Sequence, residues 1–113
     1  MSLSTGNTVF RYENGQSRII NSQTDNYTAT PDDNGHVIVV TAGSGKTVTV
    51  PINLPVGFNC LIVQGGAGQV TIAESSTTIE NVAGQSKTSA QFAIVALVSI
   101  SPDTFILSGS TGA

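Results

Sequence analysis

The chain has 113 residues and a formal net charge of −3, and only 10% of its residues are charged, which suits one domain with a modest core. Its four basic residues are scattered, which disfavours nucleic-acid binding, and no apolar run approaches the roughly 20 residues of a membrane helix. A single cysteine excludes an intrachain disulfide, and the abundance of Thr, Ser, Asn, Gln and Gly is typical of short strands and tight turns.

The N-terminal part of the chain predicts an arm followed by a hairpin. Residues 1–8 have no apolar periodicity and are expected to form a flexible arm. Residues 9–13 and 16–20 flank Asn14-Gly15, the favoured pair for a type I′ turn, and residues 22–26 form a polar linker that ends this unit at residue 26. A hairpin alone is marginal in water, so its apolar side chains need a surface to dock on. The candidate interface residues here are Phe10, Tyr12, Ile19 and Ile20.

Residues 27–35 contain the one predicted helical turn. Thr30 can cap it, Pro31 suits its first position, and Asp32 and Asp33 favour the N-terminal end of the helix dipole. The strands predicted after this turn are 36–41, 46–50, 57–64, 69–73, 77–80, 91–100 and 104–108.

Eight or nine short strands in all indicate an all-β fold. We expect residues 27–113 to form an antiparallel β-sandwich of jelly-roll or Greek-key type, and a small barrel fits the same pattern.

The strand at 91–100 is apolar on both faces. Phe92, Ile94, Ala96, Val98 and Ile100 share one face, and the intervening residues make the other face apolar as well. One face of a strand in a single sandwich should be exposed to water, so the second face predicts another cover, either this chain or a neighbouring subunit. The residues assigned to this candidate interface are Ala93, Val95 and Leu97.

Residues 42–50 (AGSGKTVTV) raise the possibility of a nucleotide site. Gly45-Lys46-Thr47 matches the end of a P-loop, but position 40, where its first glycine belongs, is Val40. The residues that follow alternate with period two and end in Pro51, so no helix can begin there to hold phosphate. We therefore predict a Gly-rich turn. Residues 65–73 (GGAGQVTIA) repeat the same turn-and-strand pattern, over too short a stretch to define a repeat.

The other chemically capable residues form no recognisable site. His36 is the only histidine, and Cys60 alternates with Phe58 and Ile62 on one strand face, as a core residue does. One Cys and one His cannot make a zinc site, and Asp32-Asp33 lacks the spacing of a calcium loop. The sequence therefore predicts no catalytic, cofactor or metal residue, and no enzyme.

Residues 27–109 resemble a small domain of bacteriophage virion proteins, found at head-decoration, head-fibre and tail-fibre positions. The most distinctive matching segment is Gly66-Ala67-Gly68-Gln69-Val70-Thr71-Ile72. The other matching segments are Tyr27-Thr28, Asp33-Asn34-Gly35, Val37-Ile38-Val39, Val48-Thr49-Val50-Pro51, Pro55-Val56-Gly57, Val63, the apolar strand ending near Ile100, and the last strand from Thr104 to Ser108.

The resemblance implies an all-β, non-enzymatic protein of the virion that is frequently a homotrimer. The first hypothesis is a capsid decoration or head-fibre protein, which binds the major capsid protein at the outer surface of the head and stabilises it. The alternative is a tail-fibre tip that binds a host receptor, often a glycan. Either role would place the protein in the virion and require no cofactor.

Overall fold

The computed structural model describes residues 18–113, which fold into two β-sheets and one 3-10 turn, Pro31–Asp33. The strands in chain order are β1 (Ile20–Gln23), β2 (Tyr27–Thr28), β3 (Val37–Val40), β4 (Lys46–Val50), β5 (Asn59–Gln64), β6 (Val70–Glu74), β7 (Thr78–Glu80), β8 (Lys87–Thr88), β9 (Ile94–Ser101), β10 (Thr104–Gly109) and β11 (Thr111–Gly112).

The first six strands alternate between the two sheets. Sheet A has the order β1-β3-β5-β9-β10-β7, and sheet B has the order β11-β8-β6-β4-β2. β1, β3 and β5 are parallel to one another, and so are β2, β4 and β6. The chain therefore makes three successive coils, each contributing one strand to each sheet, as in a short β-solenoid.

This winding corrects part of the predicted fold. The all-β, two-sheet prediction is confirmed, but the antiparallel jelly-roll or Greek-key order is wrong for the first six strands. The physical reason lies in the connections. Residues 41–45 and 65–69 carry the chain from one sheet to the other, whereas a hairpin would return it beside the strand it has just left.

The two similar segments of sequence are equivalent parts of successive coils. Val37 pairs with Leu61 in sheet A, and Lys46 pairs with Val70 in sheet B, so both registers place residues 24 positions apart side by side. The turns between them are stacked as well, because a Cβ added at Gly66 would lie 2.7 Å from the backbone nitrogen of Ala42. Residues 42–50 and 65–73 are therefore a structural repeat, one copy in each of two successive coils.

The C-terminal strands close the end of the solenoid with antiparallel pairing. β9 pairs with β5 on one side and, across the turn at residues 101–103, with β10 on the other. In sheet B, β8 pairs with β6, and β11 pairs with β8. β7 is parallel to β10 at the sheet edge.

The core lies between the sheets and obeys the alternation of each strand. Sheet A supplies larger side chains and sheet B mainly valines. Phe58, in the connection before β5, is completely buried in the same core.

A buried polar bridge crosses the core. The Thr88 hydroxyl on β8 donates to Gln64 Oε1 on β5, and it accepts a 2.9 Å hydrogen bond from Val70 N. Both side chains are buried, so the bridge fixes the register of one sheet against the other.

The 3-10 turn confirms the predicted helical turn and anchors the first coil. Asp33 is almost fully buried, and its carboxylate accepts hydrogen bonds from Tyr27 Oη (2.7 Å), Asn21 Nδ2 (2.9 Å) and the Thr30 backbone N–H (2.9 Å). These donors come from β1, β2 and the residue preceding the turn. A single satisfied carboxylate therefore holds both strands of the first coil to the turn.

The predicted N-terminal unit fits the structure only in part. Residues 9–13 and the first two residues of 16–20 lie outside the described residues. Ile20 begins β1, which pairs in parallel with β3, and residues 22 and 23, predicted to belong to a polar linker, are in this strand. The pairing of β1 with β3 thus crosses the boundary predicted at residue 27.

Candidate interaction surface

The outer face of sheet A is an apolar surface built by strand register. Because paired residues point to the same side of a sheet, the registers of β1, β3, β5, β9 and β10 define rows of outward side chains. The rows are Ile20, Val37, Leu61, Ala96 and Ser108; Ser22, Val39, Val63 and Ile94; and Asn59, Val98 and Ile106. We call these residues, together with Ile100, the apolar face.

Several members of the apolar face are open to solvent. Ile94 is 49% exposed, Val98 39% and Ile100 57%, and all three are large hydrophobic residues on the same strand, β9. Scattered exposed hydrophobic residues are normal on protein surfaces, but these lie side by side with Ile106 of β10, whereas Ile20 lies at the far edge of the sheet beyond the buried Val37. Contiguous apolar surfaces of this kind mark interaction sites.

Charge on this side of sheet A is confined to its edge. The five strands that carry the apolar face contain no Asp, Glu, Lys or Arg, whereas the exposed Glu80 on the edge strand β7 pairs with Ile106. The outer face of sheet B is different, since its central strands present Thr47, Thr49 and Thr71, and Lys87 pairs beside Thr71. The two outer faces of the molecule are therefore chemically distinct, one apolar and one hydroxylated and charged.

The structure corrects the candidate interface predicted on β9 and on Ala93, the residue that precedes it. Ala93, Val95 and Leu97 point into the chain's own core, and Leu97 is completely buried against both sheets. The opposite set, headed by Ile94 and Val98, lies outside. Both faces were apolar in sequence, and pairing with β10 decides between them, because Leu97 lies opposite Leu107 and Val98 opposite Ile106.

A signal for the correct face was present in the sequence. In β10, Phe105 and Leu107 alternate with Thr104, Ile106 and Ser108, so Phe105 and Leu107 identify the inward side. Folding the chain back at Pro102-Asp103, together with the register shift between Thr104 and Phe105, places Leu97 opposite Leu107. Of the predicted N-terminal interface residues, Ile19 and Ile20 are exposed, and Ile20 belongs to the apolar face. Phe10 and Tyr12 lie outside the described residues.

Phe92 adds an aromatic group beside the start of β9. Its side chain is 74% exposed, and its backbone has φ of +73°, a conformation that a bulky residue adopts at a cost. The conformation is held by hydrogen bonds from Phe92 N to Gln64 O (2.7 Å) and from Ala93 N to Ala90 O (3.1 Å). An exposed aromatic side chain on a backbone held by hydrogen bonds is suited to contact a partner.

The residues with chemically reactive side chains, Cys60, His36 and Asp33, have structural surroundings. Cys60 is 1% exposed, and its burial, reinforced by the negative charge of Asp33, raises the pKa of the thiol to about 12. A thiol with that pKa is protonated at neutral pH and is not a nucleophile. His36 precedes β3, where its backbone carbonyl accepts from Leu61 N (3.1 Å). Asp33 is saturated by the hydrogen bonds described above.

The P-loop-like segment is part of the stacked turns. Lys46 begins β4 and lies 3.4 Å from Asp25 in an exposed ion pair, and its backbone N–H donates to Gln69 O (3.0 Å). The turn leads directly into a strand, as the sequence predicted, so it cannot offer phosphate the N–H groups of a helix terminus.

Within residues 18–113, no group of three or more His, Cys, Asp or Glu side chains is arranged to hold a metal ion. An open groove of about 380 Å³ lies between residues 83–87 and residues 112–113, and its walls combine Ala and Gly with Gln85, Ser86 and Lys87. None of the described residues lines it with a large apolar or aromatic side chain, whereas such side chains predominate in sites that bury a small ligand. In the described part of the chain, no helix combines the length and the hydropathy that crossing a membrane requires.

No protein-family model matches the chain, and no curated protein matches it.

Proposed function

We propose that this chain is a structural protein of a bacteriophage virion, a capsid decoration or head-fibre protein that assembles as a homotrimer, binds the outer surface of the head and stabilises it. The apolar face of sheet A is the observation that carries the proposal. It gives a small non-catalytic domain a large surface for association, and it agrees with the resemblance of residues 27–109 to virion domains.

The charge distribution supports a structural role on a protein lattice. Association through the apolar face would not depend on ion pairs, which salt screens. The threonine-rich outer face of sheet B, which carries hydroxyl groups and Lys87, would then be left for contact with the head or with solvent.

The test is to locate the protein on purified virions of the phage that encodes it. We expect mass spectrometry to detect it in virions, and gold-labelled antibodies to mark the head. Heads from a phage lacking the gene should rupture at lower temperature, and adding back the purified chain should restore the wild-type temperature. Absence from virions, or heads of unchanged stability without bound protein, would overturn the proposal.

A tail-fibre tip that binds a host receptor is the second candidate, and Phe92 is the observation that favours it. Glycan sites commonly expose aromatic rings, and the Phe92 ring is exposed on a backbone segment held by hydrogen bonds. Gold label at the tail, together with loss of adsorption to host cells for Phe92→Ala but not for Val82→Ala, would favour this function over the first. Val82 is a suitable control because it is a fully exposed hydrophobic residue in another loop.

A further inference from the structure

We infer that the apolar face of sheet A is the contact between copies of this chain, so that a second copy covers Ile94, Val98 and Ile106. This inference rests on the self-association included in the proposed function, and it adds the surface through which association occurs. It replaces the part of the predicted interface formed by Ala93, Val95 and Leu97, which are buried inside the chain.

The size of the face suits a contact between folded subunits. Five strands about 4.8 Å apart make it about 24 Å wide, and three rows about 7 Å apart make it about 20 Å long. That is about 500 Å² on each copy, so three copies that cover this face would bury about 1,500 Å² in the whole assembly. A single face of this size is at the upper range of the largest apolar patch on an ordinary monomer.

The chemistry of the face favours another copy over a transient partner. Interfaces between identical subunits are more apolar than those of transient complexes, and their cores are depleted of charge. The five strands of the face contain no charged residue, and the nearest charge in sheet A is Glu80, on the edge strand β7 beside Ile106. Copies that meet around Ile94 and Val98 can leave this exposed carboxylate at the solvated rim, so that no unpaired charge is buried despite the net charge of −3 on each chain.

The geometry also limits how the copies can pack. The face is one side of a sheet whose strands are all paired to a neighbour, and β5, β9 and β10 at its centre have partners on both sides. Contact therefore occurs through side chains rather than by adding a strand. Three copies that turn this face toward a common axis would form a closed assembly, which limits growth into filaments.

The test measures the mass of the full chain by light scattering on a sizing column at about 10 µM, the range in which moderate interfaces are populated. We expect three chain masses for the wild type and one chain mass for Val98→Asp and for Ile94→Asp, with at least a tenfold weaker association. Thr49→Asp is the matched control. Thr49 points outward from β4, which is paired on both sides in sheet B, and this variant should keep the wild-type mass.

Circular dichroism and a melting curve establish that each variant is folded. If an aspartate variant unfolds, Ile100→Ser tests the same face with a milder change at a more exposed position. A wild-type chain that stays monomeric at about 100 µM overturns the inference, as do folded Val98 and Ile94 variants of unchanged mass.

Sedimentation of the same variants with phage heads separates this inference from the proposed function. A trimer that dissociates in Val98→Asp but never binds heads supports the inference and overturns the function. A monomer whose head binding is lost in Val98→Asp overturns the inference, because the face would then contact the capsid. Head binding by a trimer whose mass the variants do not alter also overturns the inference and leaves the function supported.

Discussion

At the scale of single residues, the glycines of the stacked turns show how backbone contact sets the architecture. The turn at residues 65–69 lies directly on the turn at residues 41–45. A Cβ at Gly68 would be 2.9 Å from the backbone nitrogen of Ser44 and closer still to its carbonyl. The obstructing atoms are backbone atoms and cannot rotate away, so the close approach of the two turns requires glycine at this position.

We expect Gly68→Ala to lower the free energy of unfolding by about 3 kcal/mol, because one coil must move away from the other. Gly43→Ala is the matched control in the neighbouring turn, since a Cβ there meets no atom within 4 Å. Its effect should be within about 0.5 kcal/mol. Urea unfolding of both variants measures the difference. Equal stability of the two would contradict the stacking of these turns.

Tyr27 gives a prediction about pH. Its partial burial, together with the hydrogen bond that its hydroxyl donates to Asp33 (2.7 Å), raises the pKa of Tyr27 above 10.0. A pKa raised by folding stabilises the protein at pH values below the unfolded pKa, and this contribution is lost as the pH rises through the folded pKa. We expect the free energy of unfolding to fall above pH 10.

The variant Tyr27→Phe should lose about 1–2 kcal/mol at pH 8, because one hydrogen bond to a buried carboxylate is removed. Above pH 10 the variant should show a smaller further loss than the wild type, since it has no hydroxyl to ionise at this position. Urea unfolding at pH 8 and pH 11 measures both effects. Parallel losses in the two proteins would show that Tyr27 is not the titrating group.

At the scale of elements, β9 illustrates a limit of reading strands from their pattern. Its apolar run predicts a β-strand at residues 91–100, and the structure confirms a strand at Ile94–Ser101. Alternation alone could not decide which apolar face lies inside, because both sets have similar hydrophobicity. The partner strand decides it, since Leu97 and Leu107 share the inner face.

Neighbouring residues of β9 test this orientation. Leu97→Ala should destabilise the chain by about 3 kcal/mol through loss of buried side-chain volume, because Leu97 is completely buried. Val98→Ala, one position along on the outer face, should cost less than about 1 kcal/mol in a dilute sample of the monomer. Thermal or urea unfolding compares the two. A larger loss for Val98→Ala would reverse the assignment of the faces.

The elements also show what turn chemistry can predict. The 3-10 turn was predictable because Thr30, Pro31 and Asp33 act through local hydrogen bonds and a fixed φ. The short strands β2, β8 and β11 were not predicted, since two residues carry no periodic pattern. Their pairing depends on β4, β6 and β8 being already in place beside them.

At the scale of the whole molecule, the two outer faces make folding and assembly interdependent. If copies associate through the apolar face, the assembled state is stabilised by mass action. The melting temperature should then rise with protein concentration, by about 2–5 °C for each tenfold increase in a domain of this size.

Differential scanning fluorimetry over a hundred-fold range of concentration measures this dependence. Val98→Asp should melt at a temperature that does not change with concentration, because it cannot form the contact. Thr49→Asp should behave as the wild type does. A melting temperature of the wild type that is independent of concentration would argue against assembly in solution.

The sequence by itself determined that the chain is all-β, where most of its longer strands and its helical turn lie, and that Cys60 is a core residue. It also excluded a P-loop, because β-branched residues and Pro51 follow Lys46. These conclusions rest on local properties, namely φ preferences, alternation and the spacing of apolar residues.

Only the tertiary structure decided the parallel order of the coils and the face of β9 that is exposed. Alternation with period two is the same in parallel and antiparallel strands, so it cannot identify a strand's partner. Partners are set by contacts between distant residues, such as the stacking of Gly66 on Ala42 and the pairing of Leu97 with Leu107. The apolar face exists because these contacts turn one of two equivalent faces inward and leave the other on the surface.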